Sequence, residues 1–550
     1  MAGTSGPLAG TLAPQPSEKY SATLFTTMDG QPDSYDSRNS TPSSVDITSA
    51  HPGDGTDSES EAAEVAHLAA GRLPEEVYER TLSPWRAAVR RRLVQTVEWE
   101  SEIIAAMQAK VRNGFLDTYF VYTSTLGTHT FFTIFLPAIW IFGYAESARA
   151  LLMVLGLGVY LSSFLKDLIC SPRPFAPPVT RLTMGNHHLE YGFPSTHSTN
   201  SVSIALYLYS LVLQMYNGPE APAAHHAGMS PTTYYVLTGL LLFYTFSIVY
   251  GRLYTGMHSF TDCVVGVLLG ASICGLQVVL GKPLDTWVRT SGWIVPSIVV
   301  PACLLMVHRH PQPVDDCPCF EDAIAFVSVN MGEVVSRWYM YRNGYDEAFF
   351  SKIMPGSLHG SWLDAFTWIS IAVLKMVLAI LIIFTWRIFA KSLFHVILPP
   401  TFRFLAQLFT LPHRRFYTPA TDYKSVPPDK GLRPIPSVID LPGMVEIEMD
   451  GIAASTARRR ALENSCNDIK LRTSGKGKAD AWKSGGAGEK QDGMAAALAE
   501  YEREDVPDVI VKHYDADVLT KVFVYCGIGV IAGCGLPVMF EVLGWGVRIS

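Results

Sequence analysis

Apolar runs long enough to cross a bilayer recur along most of the chain. Eight windows fit the ~17–25 residues that a helix needs to span a hydrocarbon core of ~30 Å. They lie at roughly 118–143, 147–169, 199–216, 233–253, 262–280, 291–307, 365–386 and 519–545. The runs are continuous and lack apolar/polar alternation, which argues against the strands of a membrane barrel. The pattern predicts an all-α polytopic membrane protein, in which six spans between 118 and 307 form a compact core and about two more follow toward the C-terminus.

The polar segments divide the rest. Residues 1–75 are rich in Ser, Thr, Pro, Gly and Asp and carry few large apolar side chains, a composition that does not offset ordering entropy and predicts disorder. From 76 to 117 apolar residues recur at three- and four-residue steps, as in a helix lying at the membrane surface. Residues 308–364 read as a polar connection. The stretch 365–410 reads as a seventh span followed by an interfacial helix broken by Pro399 and Pro400. Residues 411–515 read as a flexible polar insert, and 516–550 hold the last span. The chain opens without the basic region and apolar core of a cleavable signal, so the first span is expected to target it.

Composition agrees with this picture. Hydrophobic residues make up 48% and charged residues 17%, and the mean hydropathy is positive. The formal charge of -7 is spread along the chain, with no basic stripe of the kind that tracks nucleic acid. Nine cysteines in 550 residues are no disulfide scaffold. Cys317 and Cys319 could form a metal or redox pair, but no second pair stands near them in sequence. No metal and no cofactor is expected.

Ionisable residues at the ends of spanning helices are costly and mark function. Three clusters stand out: Lys166 and Arg173 in "KDLICSPRP"; Glu190, Ser195 and His197 in "EYGFPSTHS"; and Arg252, His258 and Asp262 in "GRLYTGMHSFTD". Counting crossings puts all three on one membrane face. Three cations over one spot, with the Ser195 hydroxyl and backbone N–H groups around Gly192, would receive a dianion such as a phosphate monoester. His258 and Asp262 are four apart, so on a helix the carboxylate could hold one imidazole nitrogen while the other faces the bound group. Singly, each residue has an ordinary structural use: a snorkelling cation, a buried histidine, a helix cap or a turn serine. Their conjunction on one face is what favours chemistry.

These stretches resemble the three-part signature of the type 2 phosphatidic acid phosphatase superfamily, KxxxxxxRP, PSxH and (S)RxxxxxHxxxD. Together with "LEYGFPSTHSTNS" and "HPQPVDDCPCFEDAIAFVSVNMG", they look like its branch acting on sphingosine and dihydrosphingosine 1-phosphates. The resemblance spans roughly 85–360. It implies that Lys166, Arg173, Ser195 and Arg252 bind phosphate, that His258 is the nucleophile backed by Asp262, and that His197 protonates the leaving alkoxide and then activates water. Gly251 stands where serine is common and Thr196 where glycine is common; neither removes a charged residue.

The alternatives are a phosphatidate, diacylglycerol pyrophosphate or isoprenyl pyrophosphate phosphatase on the same core, and a non-catalytic phospholipid-binding protein. The expected partners are a sphingoid base phosphate and the lipid bilayer. For orientation, Arg90, Arg91, Arg92, Lys110 and Arg112 precede the first span and argue for a cytosolic site. Arg387, Lys391, Arg403, Arg414 and Arg415, counted onto the opposite face, argue for a lumenal one, as does the "NST" acceptor at Asn39. The resemblance implies an endoplasmic reticulum membrane enzyme with a lumenal site.

Overall fold

The computed structural model describes residues 70–124, 126, 129–182, 190–217, 229–346, 348–423 and 513–546. The expectations for residues 1–69, Asn39 included, and for 424–512 lie outside the described residues. Among the described residues the protein is all-α, with no strand beyond an isolated bridge between Thr418 and Tyr514. The helices, in chain order, are α1 Glu75–Thr81, α2 Pro84–Val111, α3 Gly114–Ser124, α4 His129–Ile141, α5 Ala145–Ile169, α6 Thr196–Asn217, α7 Pro231–Tyr254, α8 Phe260–Thr290, α9 Ile294–His308, α10 Cys319–Arg342, α11 Trp362–Ala406 and α12 Asp515–Val530. A π-helical turn, Ile531–Gly535, carries α12 into α13, Leu536–Val542.

Among the described residues, five helical stretches are both long and apolar enough to cross a membrane: α5, α7, α8, α11 and the continuous Asp515–Val542. The protein is therefore a multi-pass membrane protein. Three of the eight windows fall short of that test. The window at 118–143 holds parts of α3 and α4, of 11 and 13 residues, each short of the length that crosses alone. The window at 291–307 yields α9, with 15 residues. Helix α6 is long enough, but its N-terminal half is built of Ser, Thr and Asn. Those small residues let α6 and α8 approach closely. A side chain at Gly266 would meet the Ser195 carbonyl oxygen at 2.7 Å, and one at Gly270 the Thr199 carbonyl at 2.4 Å, the small-residue packing that membrane helices favour.

Two expectations about the C-terminal half need correction. The stretch 308–364 holds α10, a largely buried helix packed on α5 and α12. Its charged residues looked like those of a solvated connection because their partners are far away in sequence: Glu321 pairs with Lys521 at 2.7 Å, and Arg337 with Asp285 at 2.8 Å. Helix α11 is also unbroken by its prolines, running 45 residues through Pro399 and Pro400 to Ala406. In apolar surroundings a helix that loses single bonds to proline is still cheaper than exposed, unpaired backbone.

The extra helix α10 reverses the direction of everything after it. Arg414 donates to the carbonyls of His310 and Pro311 at 3.3 and 3.1 Å, and His310 lies 3.5 Å from Asp167, the neighbour of Lys166. His395 of α11 reaches Asp517 at the start of α12 at 2.8 Å. Arg414, counted from the sequence onto the opposite face, thus stands at the same end of the bundle as Lys166.

Candidate active site

The ends of four helices build the site. The last turn of α5 carries Lys166, and Cys170 closes that helix in the left-handed conformation with φ 57°. Pro172 and Pro174 then hold the chain extended around Arg173. Ser195 precedes α6 and caps it, its Oγ accepting from the Ser198 N–H at 3.3 Å and from the Ser198 hydroxyl at 3.0 Å. Both bonds use Ser195 as acceptor, so its own proton is left for a ligand. Arg252 ends α7, and His258 stands in the turn before α8. Lys166, Arg173, Arg252, His258 and Asp262 are all buried; His197, in the first turn of α6, is half-buried.

Arg173 holds the centre together. Its Nε donates to the Glu190 carbonyl at 2.9 Å, and its Nη1 donates to the Met257 carbonyl at 2.8 Å and lies 3.2 Å from His258 Nε2. On the other side of the ring, His258 Nδ1 lies 2.9 Å from the Gly192 carbonyl oxygen. A carbonyl can only accept and a guanidinium can only donate, so both neighbours select one tautomer, with the proton on Nδ1 and a lone pair on Nε2. Burial, and then the charges of Arg173, Arg252, Lys166 and His197, push the His258 pKa well below its usual value of 6.5. The imidazole is neutral, and its lone-pair nitrogen, Nε2, faces the Arg173 guanidinium. In Arg252, buried at the same place, Nε has no acceptor among the described residues. A phosphate oxygen would supply one.

The residue that fixes the imidazole differs from the sequence expectation. Asp262 Oδ2 is 3.7 Å from His258 Nδ1, beyond hydrogen-bond length, and instead accepts the Ser259 N–H at 2.9 Å. Ser259 Oγ in turn accepts the Asp262 N–H at 3.2 Å, closing a capping box at the start of α8. The four-residue rule fails because His258 lies before the N-cap, outside the helix. The S-x-x-D spacing of Ser259 and Asp262 was the readable signal for this box. Asp262 also accepts the Ser195 N–H through its carbonyl at 3.1 Å, locking the second motif to the third. The Gly192 N–H, expected among the phosphate donors, is taken by the Ser171 carbonyl at 2.9 Å. Glycine is required there, since a side chain would meet the Pro172 carbonyl oxygen at 2.6 Å.

The sequence places Glu190 in the second functional cluster without giving it a role, and gives α2 no part in the site. The Glu190 carboxylate accepts from Lys166 Nζ at 2.6 Å and lies 3.5 Å from Arg173 Nη2. Helix α2, expected at the membrane surface, buries one polar face against the motif loops. Gln108 bridges the carbonyls of Thr180 and Tyr254 at 2.8 and 2.9 Å. Glu100 accepts from Thr261 N and Oγ1 at 3.1 and 2.6 Å, and Ser101 from Phe175 N at 2.9 Å. As for metals, ligand atoms of Asp167, Cys317 and Cys319 lie within 4.8 Å of one another, but the two sulfurs are bonded to each other and so are not available as thiolates.

Antiparallel helices thus bring a neutral imidazole and three cations to one buried spot, a charge pattern suited to an anionic group. The PAP2 superfamily profile matches residues 147–282. A dihydrosphingosine 1-phosphate phosphatase of Schizosaccharomyces pombe is 34% identical over 58% of this chain and 73% of its own. One from Saccharomyces cerevisiae is 34% identical over 51% of this chain and 67% of its own, and the lipid phosphate phosphatase delta of Arabidopsis thaliana 31% over 50% and 63%. The chain belongs to the PAP2 superfamily.

Proposed function

We propose that this protein hydrolyses sphingoid long-chain base 1-phosphates to the free base and phosphate through a phosphohistidine intermediate. One observation carries the reading: His258 Nε2, neutral and 3.2 Å from Arg173 Nη1, with Nδ1 anchored on Gly192. Lys166, Arg173, Arg252 and the Ser195 hydroxyl take the phosphate oxygens and stabilise the charge that builds on them. His258 Nε2 attacks phosphorus, the bond to the ester oxygen breaks, and His197 gives that oxygen its proton. His197, now a base, takes a proton from water, whose oxygen attacks phosphorus and breaks the P–N bond. Asp262 acts from behind, through the capping box that fixes the turn carrying His258. The names of the relatives and the motif resemblance support this substrate class.

Phosphate release from dihydrosphingosine 1-phosphate and from phosphatidate, by full-length protein in detergent, tests it. The first substrate should be preferred. His258→Ala should lower turnover by about 10³-fold or more while still binding substrate, and His197→Ala by about 10²–10⁴-fold. Near-normal turnover by His258→Ala would refute the nucleophile.

We further propose an endoplasmic reticulum membrane location with a lumenal site, which the resemblance supports. The gathering of cations at the site's end favours the opposite orientation under the positive-inside rule.

A further inference from the structure

We propose that Glu190 is the specificity-determining residue that reads the substrate's ammonium group. This inference rests on the proposed sphingoid substrate class. Glu190 is held at the site from both ends: its carbonyl accepts from Arg173 Nε at 2.9 Å, and its carboxylate accepts from Lys166 Nζ at 2.6 Å and lies 3.5 Å from Arg173 Nη2. The segment is anchored beyond it as well. Tyr191 donates to Asp315 at 2.7 Å and accepts from the Asp315 N–H at 2.9 Å, and the Gly192 N–H is bonded to Ser171.

A carboxylate touching a phosphate-binding lysine is a poor feature for a receptor that takes phosphate alone. A dianion arriving on Lys166 and Arg173 would lie beside a second anion in a buried site, where repulsion between like charges is large. A zwitterionic head group removes the conflict. In a sphingoid base 1-phosphate, two carbon atoms separate the ammonium from the phosphoryl ester oxygen, so a cation reaches the pocket together with the phosphate. Lys166 can turn to the phosphate while the substrate's ammonium replaces it on Glu190. Phosphatidate presents an uncharged acyl ester at that position, and an N-acylated sphingoid phosphate an uncharged amide. Either brings no cation of its own, so the phosphate draws Lys166 from Glu190 with nothing to replace it, which is discrimination by a repulsive element.

The test compares kcat/KM for dihydrosphingosine 1-phosphate, its N-acylated form and phosphatidate, using wild type, Glu190→Gln and Glu190→Asp of the full chain in mixed micelles. Glu190→Gln keeps the shape and removes the charge. It should lower kcat/KM for the amine substrate by about tenfold to a hundredfold, mainly through KM, the scale of a lost charge-assisted bond. The uncharged-amide and ester substrates should hold steady or improve, and Glu190→Asp should keep most of the wild-type preference. The ratio between substrates does not depend on how much enzyme folds, so a purely structural role would lower all three rates together. A wild-type preference that survives unchanged in Glu190→Gln would overturn the assignment of Glu190 alone. Equal wild-type rates on all three substrates would overturn the substrate class, and Glu190's role with it.

Discussion

At the scale of single residues, the chemistry of His258 is set by what surrounds it. The motif letters displayed the histidine and the cations, but not the group that fixes the imidazole, because a backbone carbonyl such as that of Gly192 has no side-chain signature. The same limit hid Arg173's bonds to the carbonyls of Glu190 and Met257. The depressed basicity of His258 makes a prediction about stability. In the unfolded chain this imidazole takes up a proton near pH 6.5, whereas the folded protein refuses it until well below that value. Between the two, the unfolded state binds more protons, so stability falls as pH drops through 6.5 and is regained as it rises. His258→Gln, which can still donate to Gly192, lacks this penalty. Thermal unfolding in detergent from about pH 8 to about pH 5 should therefore show wild type losing stability relative to the variant, by at most about 1.4 kcal/mol per pH unit. Parallel pH curves for the two proteins would mean that His258 is protonated as readily in the fold as outside it.

At the scale of helices, what could be read depended on where the partners were. Helices α5, α7 and α8 announced themselves by continuous apolarity. Helix α10 was obscured because Glu321 and Arg337 looked solvated until Lys521 and Asp285 came to them across the fold. Helix α2 was obscured for a related reason: its buried polar residues, Gln108 and Glu100 among them, pair with loop backbone that no pattern displays. The Gln108 amide makes three bonds, including acceptance from Thr180 N at 3.0 Å. It ties the chain after the first motif to the end of α7, where Arg252 stands. Gln108→Ala would leave those buried groups unpaired at about 1–3 kcal/mol each. We expect a lower unfolding temperature together with a fall in kcat, since Arg173 and Arg252 would lose their common support. Unaltered stability would reduce α2 to the surface helix its sequence suggested.

At the scale of the whole molecule, the crossing count decides how topology is to be measured. With α10 included, the chain on either side of residues 424–512 returns to the site's end: the Thr418 N–H bonds to the His513 carbonyl at 3.0 Å, and His513 lies 3.3 Å from both Asp316 and Glu321. The link between α8 and α9, residues 291–293, lies one crossing of α8 away from Asp262 and so at the other end. Arg90 donates to the Cys170 carbonyl and Arg414 to that of His310, so arginines from both halves of the chain stand with the site. The positive-inside rule opposes translocation of that end, whereas the resemblance places it in the lumen. A glycosylation acceptor introduced within 419–423 is expected to receive sugar, and one introduced at 291–293 to remain bare. The reverse pattern would make this a phosphatase facing the cytosol, with the cations rather than the family resemblance as the guide to its orientation.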